Sequence, residues 1–225
     1  MVNADDFGLS PGVNRGVLRA HVEGIVTSTS LMVRQPAAAE AVRAANEYPR
    51  LSLGLHVDLA EWRYGDGEWR MLYARVDLSD VRAVAAEVEG QLAAFGALVG
   101  RLPTHLDSHQ HVHRDEPVRA ILADTARVLG IPLRHQPPVH YCGAFYGQGR
   151  DGAPMPDAIT PGALATVIRR LPAGTTELCC HPAESADPGW AYGAERRVEL
   201  ASLCHPAVRR AVNEAGVCLA SFADG

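Results

Sequence analysis

The residues able to do chemistry in this chain fall at four places. Asp5 and Asp6 stand side by side, and His56 closes the run Leu53-Gly54-Leu55. Asp107 precedes His109, His111 and His113, and His181 follows Cys179-Cys180. A carboxylate with two or three imidazoles is a ligand set for a divalent transition metal that keeps a position open for water. A second carboxylate beside such an ion can take a proton from that water, and a free imidazole can give one to a leaving group. Each place also has a plainer reading. Asp5 and Asp6 could simply complement the helix start that follows them, and His56 alone would suit a satisfied core position. Three histidines at alternate positions cannot all bind one ion with good geometry, so at least one of His109, His111 and His113 faces elsewhere. His21, His135, His140 and His205 sit in helical or loop contexts and read as structural. Asp6-Phe7-Gly8 spells the magnesium tripeptide of protein kinases, but no lysine or glycine-rich loop accompanies it, so that match is chance.

The elements that must position these residues alternate along the chain. Strands are expected at 2–5, 25–33, 51–57, 104–107, 131–134, 176–180 and 217–220. Helices are expected at 11–24, 36–46, 81–99, 117–129 and 161–170, with one or two more across 195–215. Ser10-Pro11 reads as an N-cap followed by proline at the first helical position. Strict alternation predicts a parallel sheet, either curled into a barrel or open and doubly wound. Each group of candidate residues then lies at the C-terminal end of a strand. In parallel α/β architectures those ends converge on one rim, where active sites are built. The stretches 58–80 and 135–160 are too long for simple connections and are expected to be irregular functional loops.

Composition narrows the chemistry. The 225 residues suit one domain, 1–225, and all 21 basic residues are arginine. Without lysine there is no Schiff-base aldolase, pyridoxal phosphate enzyme, P-loop or kinase clamp. A net charge of −5 argues against non-specific binding to nucleic acid or anionic membranes. No apolar run is long enough to span a bilayer. The five cysteines are odd in number and form no C-x-x-C pair, and the first residues are neither basic nor apolar. The expected setting is therefore reduced and cytoplasmic.

Asn3-Ala4-Asp5-Asp6-Phe7-Gly8, Gly54-Leu55-His56, Thr104 to His113 and Glu177-Leu178-Cys179-Cys180-His181-Pro182 resemble the YdjC-like carbohydrate deacetylase family. Its best-known members are chitooligosaccharide deacetylases. Thr27 to Met32 and Phe145-Tyr146-Gly147 extend the resemblance over nearly the whole chain. It implies a deformed, incomplete (β/α) barrel of about seven parallel strands, related to the polysaccharide deacetylases. It also implies Asp6, His56 and His109 as ligands of one divalent ion, Asp5 as general base and His181 as general acid. The reaction would remove the N-acetyl group from small acetylated sugars such as N-acetylglucosamine oligosaccharides, with water activated on the ion. The family points to Mg2+, whereas one carboxylate with two imidazoles suits Zn2+ by ligand softness. Asp107 would brace a ligand histidine through its second ring nitrogen, and His111 would support the site. Arg134 would orient the base, or be an ordinary surface arginine. Trp62, Trp69, Phe145, Tyr146 and Trp190 would stack on sugar rings or form a lid over the barrel mouth. The expected partners are a small acetylated sugar or oligosaccharide and a second copy in a homodimer, with no nucleic acid and no membrane. Only Met1 and Val2 precede Asn3, fewer residues than the family carries there, which predicts a short first strand. Two other functions fit the same residues: a phosphoesterase-like metallohydrolase binding two ions, and a non-catalytic sugar-binding relative.

Overall fold

The strands β1 (Val2–Phe7), β2 (Ser28–Leu31) and β3 (Ser52–Val57) mix apolar side chains with small or charged polar ones, and both kinds are buried. In the computed structural model, which describes residues 1–185 and 192–224, this pattern produces a curved parallel sheet. The elements run β1 (Val2–Phe7), α1 (Pro11–Val22), β2 (Ser28–Leu31), α2 (Ala38–Ala45), β3 (Ser52–Val57), β4 (Ala60–Gly65) and β5 (Glu68–Ala74). They continue with α3 (Val81–Val99), β6 (Leu106–Ser108), α4 (Val118–Leu129), β7 (His140–Cys142), α5 (Pro161–Arg169), β8 (Thr176–Cys180), α6 (Ala194–Leu203) and α7 (Pro206–Glu214). The sheet order is β6-β3-β2-β1-β8-β7, parallel throughout, which makes a half-barrel. Leu31, Leu55, Phe95, Leu106, Leu122 and Leu164 belong to the buried apolar core. On the concave side Asn3 donates to Asp5 Oδ1 at 2.9 Å and Ser30 Oγ at 2.7 Å, and Ser30 donates to Asp107 Oδ2 at 2.6 Å. The interior of this half-barrel is thus polar and hydrogen-bonded, as buried polar groups must be.

The expected seven strands become six in the sheet. Segment 131–134 contributes a single bridge, Leu106 to Leu133, because Pro132 has no N–H to donate to a ladder. Segment 217–220 forms no strand and is only half-buried with Cys218 exposed. The sixth strand, β7, lies within the stretch expected to be irregular. The stretch 58–80 is not a simple loop either: β4 and β5 form an antiparallel hairpin, turned by Asp66 (φ 53°) and Gly67 (φ 87°). Asp-Gly between two runs is a strong signal for a two-residue hairpin turn. The first strand is not short; β1 holds six residues and pairs with both β2 and β8. Among the described residues no helix is long and apolar enough to cross a membrane.

Two glycines let backbone approach the site closely. A Cβ on Gly54 would lie 2.4 Å from the His105 ring, beneath the strand that carries His56. A Cβ on Gly16 of α1 would lie 2.4 Å from the Ala183 Cα, in the segment that follows His181. Gly→Ala in an unobstructed helix gains about 1 kcal/mol. Gly16→Ala is instead expected to cost about 1–3 kcal/mol through overpacking against backbone. Thermal melts of the variant check this; a variant at least as stable as the parent would refute it.

Candidate active site

A regular strand would send Asp5 and Asp6 to opposite faces. Here the β1–β2 register slips between Ala4 and Phe7, and Asp6 adopts a left-handed φ of 65°. Aspartate tolerates that region better than most residues, and the bulge lets both carboxylates line one cavity. Asp6 Oδ1 lies 3.0 Å from His109 Nδ1 and 3.3 Å from His56 Nε2. His56 is the penultimate residue of β3, and its Nδ1 is 2.7 Å from Asp107 Oδ1. His109 opens a 3₁₀ turn, His109–Arg114. Its Nε2 is buried without a partner, 4.0 Å from the buried Glu61 carboxylate, which burial raises.

These three residues fit a divalent ion. Ligands about 2.1 Å from a shared ion stand roughly 3.0–3.4 Å apart in octahedral or tetrahedral geometry, which matches the separations around Asp6 Oδ1. Arg196 Nη2 donates to the other oxygen, Asp6 Oδ2, at 2.6 Å, leaving Oδ1 to the histidines. Burial alone would raise the Asp6 carboxyl, but Arg196 and His109 outweigh it and hold it well below the usual carboxylate range. Burial would likewise lower His56, yet Asp107 outweighs it and holds the imidazole well above its ordinary value. Binding an ion at His56 Nε2 is therefore expected to release a proton.

Asp5 stands beside this triad in a second network. Arg134 Nη1 and Nη2 donate to its two oxygens at 2.6 Å each. The same guanidinium reaches Asp107 Oδ2 at 2.8 Å and donates from Nε to Glu177 Oε1 at 2.8 Å. Arg134 is buried, so the reading of it as a surface residue is corrected. Burial pushes Asp5 up, but Arg134 dominates and holds it far below the usual range. Glu177 stays raised by burial, to about 7, despite Arg134.

His181 follows β8 on the facing wall, its Nε2 3.9 Å from Asp5 Oδ2. Its backbone N–H and the Tyr192 hydroxyl both donate to Glu199 of α6. Burial lowers His181 to about 4 and raises Glu199 to about 8. Glu61, Glu177, Arg196 and Glu199 were not foreseen. A glutamate inside the apolar strand Glu177–Cys180 is the one local sign that was available; the others act on partners far away in sequence.

The cavity over these groups encloses about 760 Å³. Trp62, Trp69, Phe145 and Tyr146 all line it. Trp69 is exposed on β5, whereas Phe145 is fully buried and serves as wall. Tyr146 stacks on Tyr192 at 4.5 Å and meets His181 edge-on at 5.4 Å. Trp190 lies outside the described residues. His111 does not join the Asp6 triad; its Nε2 faces the Tyr141 hydroxyl at 3.1 Å.

These shifts set a pH dependence for the metal-free protein. Burial lowers His105, His113, His135 and His181 to about 4 and His111 to about 3. Between pH 6.5 and 4 the unfolded chain binds protons that these five folded imidazoles refuse, so stability falls on acidification. Glu61, Glu177 and Glu199, all raised by burial, oppose this, but they are three against five. Above pH 6.5 the unfolded chain loses protons that the fold keeps on His56, Glu177 and Glu199, so stability falls again. Tm of chelator-treated protein is expected to peak near about pH 6.5; a steady rise from there toward pH 4.5 would contradict the assignment.

Residues 1–214 match a family profile described as YdjC-like protein. The chain is 34% identical to the carbohydrate deacetylase of Geobacillus stearothermophilus, over 99% of this chain and 96% of that one. It is 32% identical to the chitooligosaccharide deacetylase of Serratia marcescens, over 100% and 98%. A crystal structure from Enterococcus faecalis, named for cellobiose-phosphate cleavage, superposes with a TM-score of 0.79 at 24% identity, covering 100% of this chain and 97% of that one. The polysaccharide deacetylase Bc1974 of Bacillus cereus does so with 0.57 at 11% identity, covering 98% and 89%. The two structural likenesses are likenesses of fold: a half-barrel of the kind found in polysaccharide deacetylases.

Proposed function

The chain belongs to the YdjC-like protein family, and from that premise we propose that it is a carbohydrate deacetylase that hydrolyses the N-acetyl group of small acetylated sugars, N-acetylglucosamine oligosaccharides first among them. Its full-length likeness to proteins named carbohydrate and chitooligosaccharide deacetylase supports the substrate class. The observation that carries the reading is the convergence of Asp6, His56 and His109 beside Asp5 and His181 in one aromatic-walled cavity.

A divalent ion on Asp6, His56 and His109 would supply Lewis acidity, lowering the pKa of water and polarising the acetyl carbonyl. The protein's own groups handle the protons. Asp5 Oδ2, kept ionised by Arg134, accepts the proton that the attacking water gives up. The pairing with Arg134 also makes Asp5 a weak base, so the proton does not remain there. His181 Nε2, neutral and 3.9 Å away, is the stronger acceptor and takes it. His181 then protonates the departing sugar amine, without which the tetrahedral intermediate falls back to the amide. In this order His181 acquires its acid proton during the cycle rather than storing it beforehand. Trp62 and Trp69, which line the cavity, hold the sugar by ring stacking in this reading.

Protein supplied with Zn2+ or Mg2+ is expected to release acetate from N-acetylglucosamine oligomers, and a chelator should reduce that release to background. The softness of two imidazoles favours Zn2+, which metal analysis of protein purified without added metal would register. No acetate from any N-acetylated mono- or oligosaccharide would sink the proposal.

A further inference from the structure

We infer that His111, His113 and His135 form a second divalent-metal site, separate from the Asp6, His56 and His109 triad, suited to a borderline ion such as Zn2+. One ring nitrogen from each can be chosen so that all three lie within 4.8 Å of one another. The ring centroids stand 5.8, 5.2 and 5.3 Å apart pairwise, so no residue is peripheral.

The hydrogen bonds around the cluster select the atoms that would bind. His113 Nδ1 is 2.6 Å from Ser108 Oγ, and His111 Nε2 is 3.1 Å from the Tyr141 hydroxyl. The remaining ring nitrogens, His113 Nε2 and His111 Nδ1, are buried with no partner. Donating one ring N–H to a neighbouring oxygen and leaving the other nitrogen free is how a metal-binding histidine is commonly oriented. Were the cluster merely aromatic packing, two buried ring nitrogens would go unpaired, a loss of about 1–3 kcal/mol apiece. His111 and His135 also hold left-handed backbone, φ 56° and 65°, a conformation that persists where surroundings enforce it.

Three imidazoles and no carboxylate make a softer set than the Asp6 triad, which disfavours Mg2+ and Ca2+. A tetrahedral ion would keep a fourth position, and His111 borders the main cavity. The two triads share no residue, unlike a bridged two-metal centre, whose ions sit about 3.5–4 Å apart.

The test is zinc stoichiometry after gel filtration, with Zn2+ alone as the probe. The parent protein is expected to retain two ions, His56→Gln one, and His135→Gln one. Cobalt loaded into His56→Gln should show the visible bands of a nitrogen-ligated ion, and His113→Gln in that background should abolish them. His135 is less buried than His113 and belongs to no strand, so His135→Gln keeps the test open if His113→Gln does not fold. A single ion in the parent, two retained by His135→Gln, or loss of both ions in either single variant would each overturn the second site. None of these readings depends on acetate release, so the fate of the deacetylase proposal is decided separately.

Discussion

Asp5→Asn is expected to slow acetate release by about 10²–10⁴-fold, the range for loss of a positioned proton acceptor, while leaving metal content unchanged. Asparagine keeps the shape of aspartate and its place on β1, but cannot take a proton from water. The fold should tolerate the change because Arg134 retains Asp107 and Glu177 as partners. Glu177 sits near 7 while three carboxylates share one guanidinium. With Asp5 neutral, Glu177 should ionise more readily and take up the released guanidinium charge. Steady-state turnover, with metal analysis on the same sample, separates this outcome from damage to the Asp6 triad. A loss below about tenfold would remove Asp5 from the proton path. Unchanged sugar affinity with no turnover in either form would instead favour a non-catalytic sugar-binding protein.

Arg134→Met should produce the largest stability loss, about 3–5 kcal/mol, as when one partner of a buried ion pair is removed. That is a large part of the roughly 5–15 kcal/mol that holds a domain folded. The variant leaves Asp5, Asp107 and Glu177 facing one another across the concave side of the sheet without their guanidinium. Their carboxyl pKa values should rise, so the variant should lose least at low pH, where those groups are neutral. Denaturant melts at pH 5 and pH 7.5 measure both effects. Combining Arg134→Met with Asp5→Asn should recover part of the loss, because one uncompensated charge is gone. A loss under about 1 kcal/mol would mean that Arg134 is no more than a surface-type pair.

Much of this site could be read before any coordinates, for a local reason. A parallel sheet gathers its C-terminal strand ends, so Asp5, Asp6, His56, the run Asp107 to His113 and His181 could be grouped by strand position, while the choice of His109 from that run came from the family resemblance. Helix α3 was equally legible, since Asp80 caps it and Gly100 ends it in a left-handed conformation. What escaped were the long-range partners. Arg196 meets Asp6 across 190 residues; Arg134, which meets Asp5 across 129, was singled out only through the family resemblance, since nothing local distinguishes either from a solvated arginine. The β4–β5 hairpin escaped despite its Asp66-Gly67 turn, because exposed strand residues such as Arg70, Met71 and Leu72 show no clean alternation. The seventh strand was lost because a β-rich run needs a partner edge, and 217–220 finds none among the described residues.

The bulge at Asp6 also bears on how this protein can change over evolutionary time. Backbone at φ 65° is accessible to glycine, asparagine and aspartate, and strained for most other residues. In the proposed function Asp6 would bind an ion with one oxygen while the other accepts from Arg196. Only aspartate and glutamate provide a carboxylate for that double task; histidine, which also tolerates the bend, does not. Of the twenty residues, aspartate alone meets both demands. Asparagine and glycine would preserve the bend and lose the charge; glutamate would keep the charge and strain the bend. If Asp6 holds the ion as proposed, each single replacement at this position is expected to fail one demand or the other, so geometry and chemistry together would restrain drift there. A saturation library at position 6 selected for acetate release should return aspartate only.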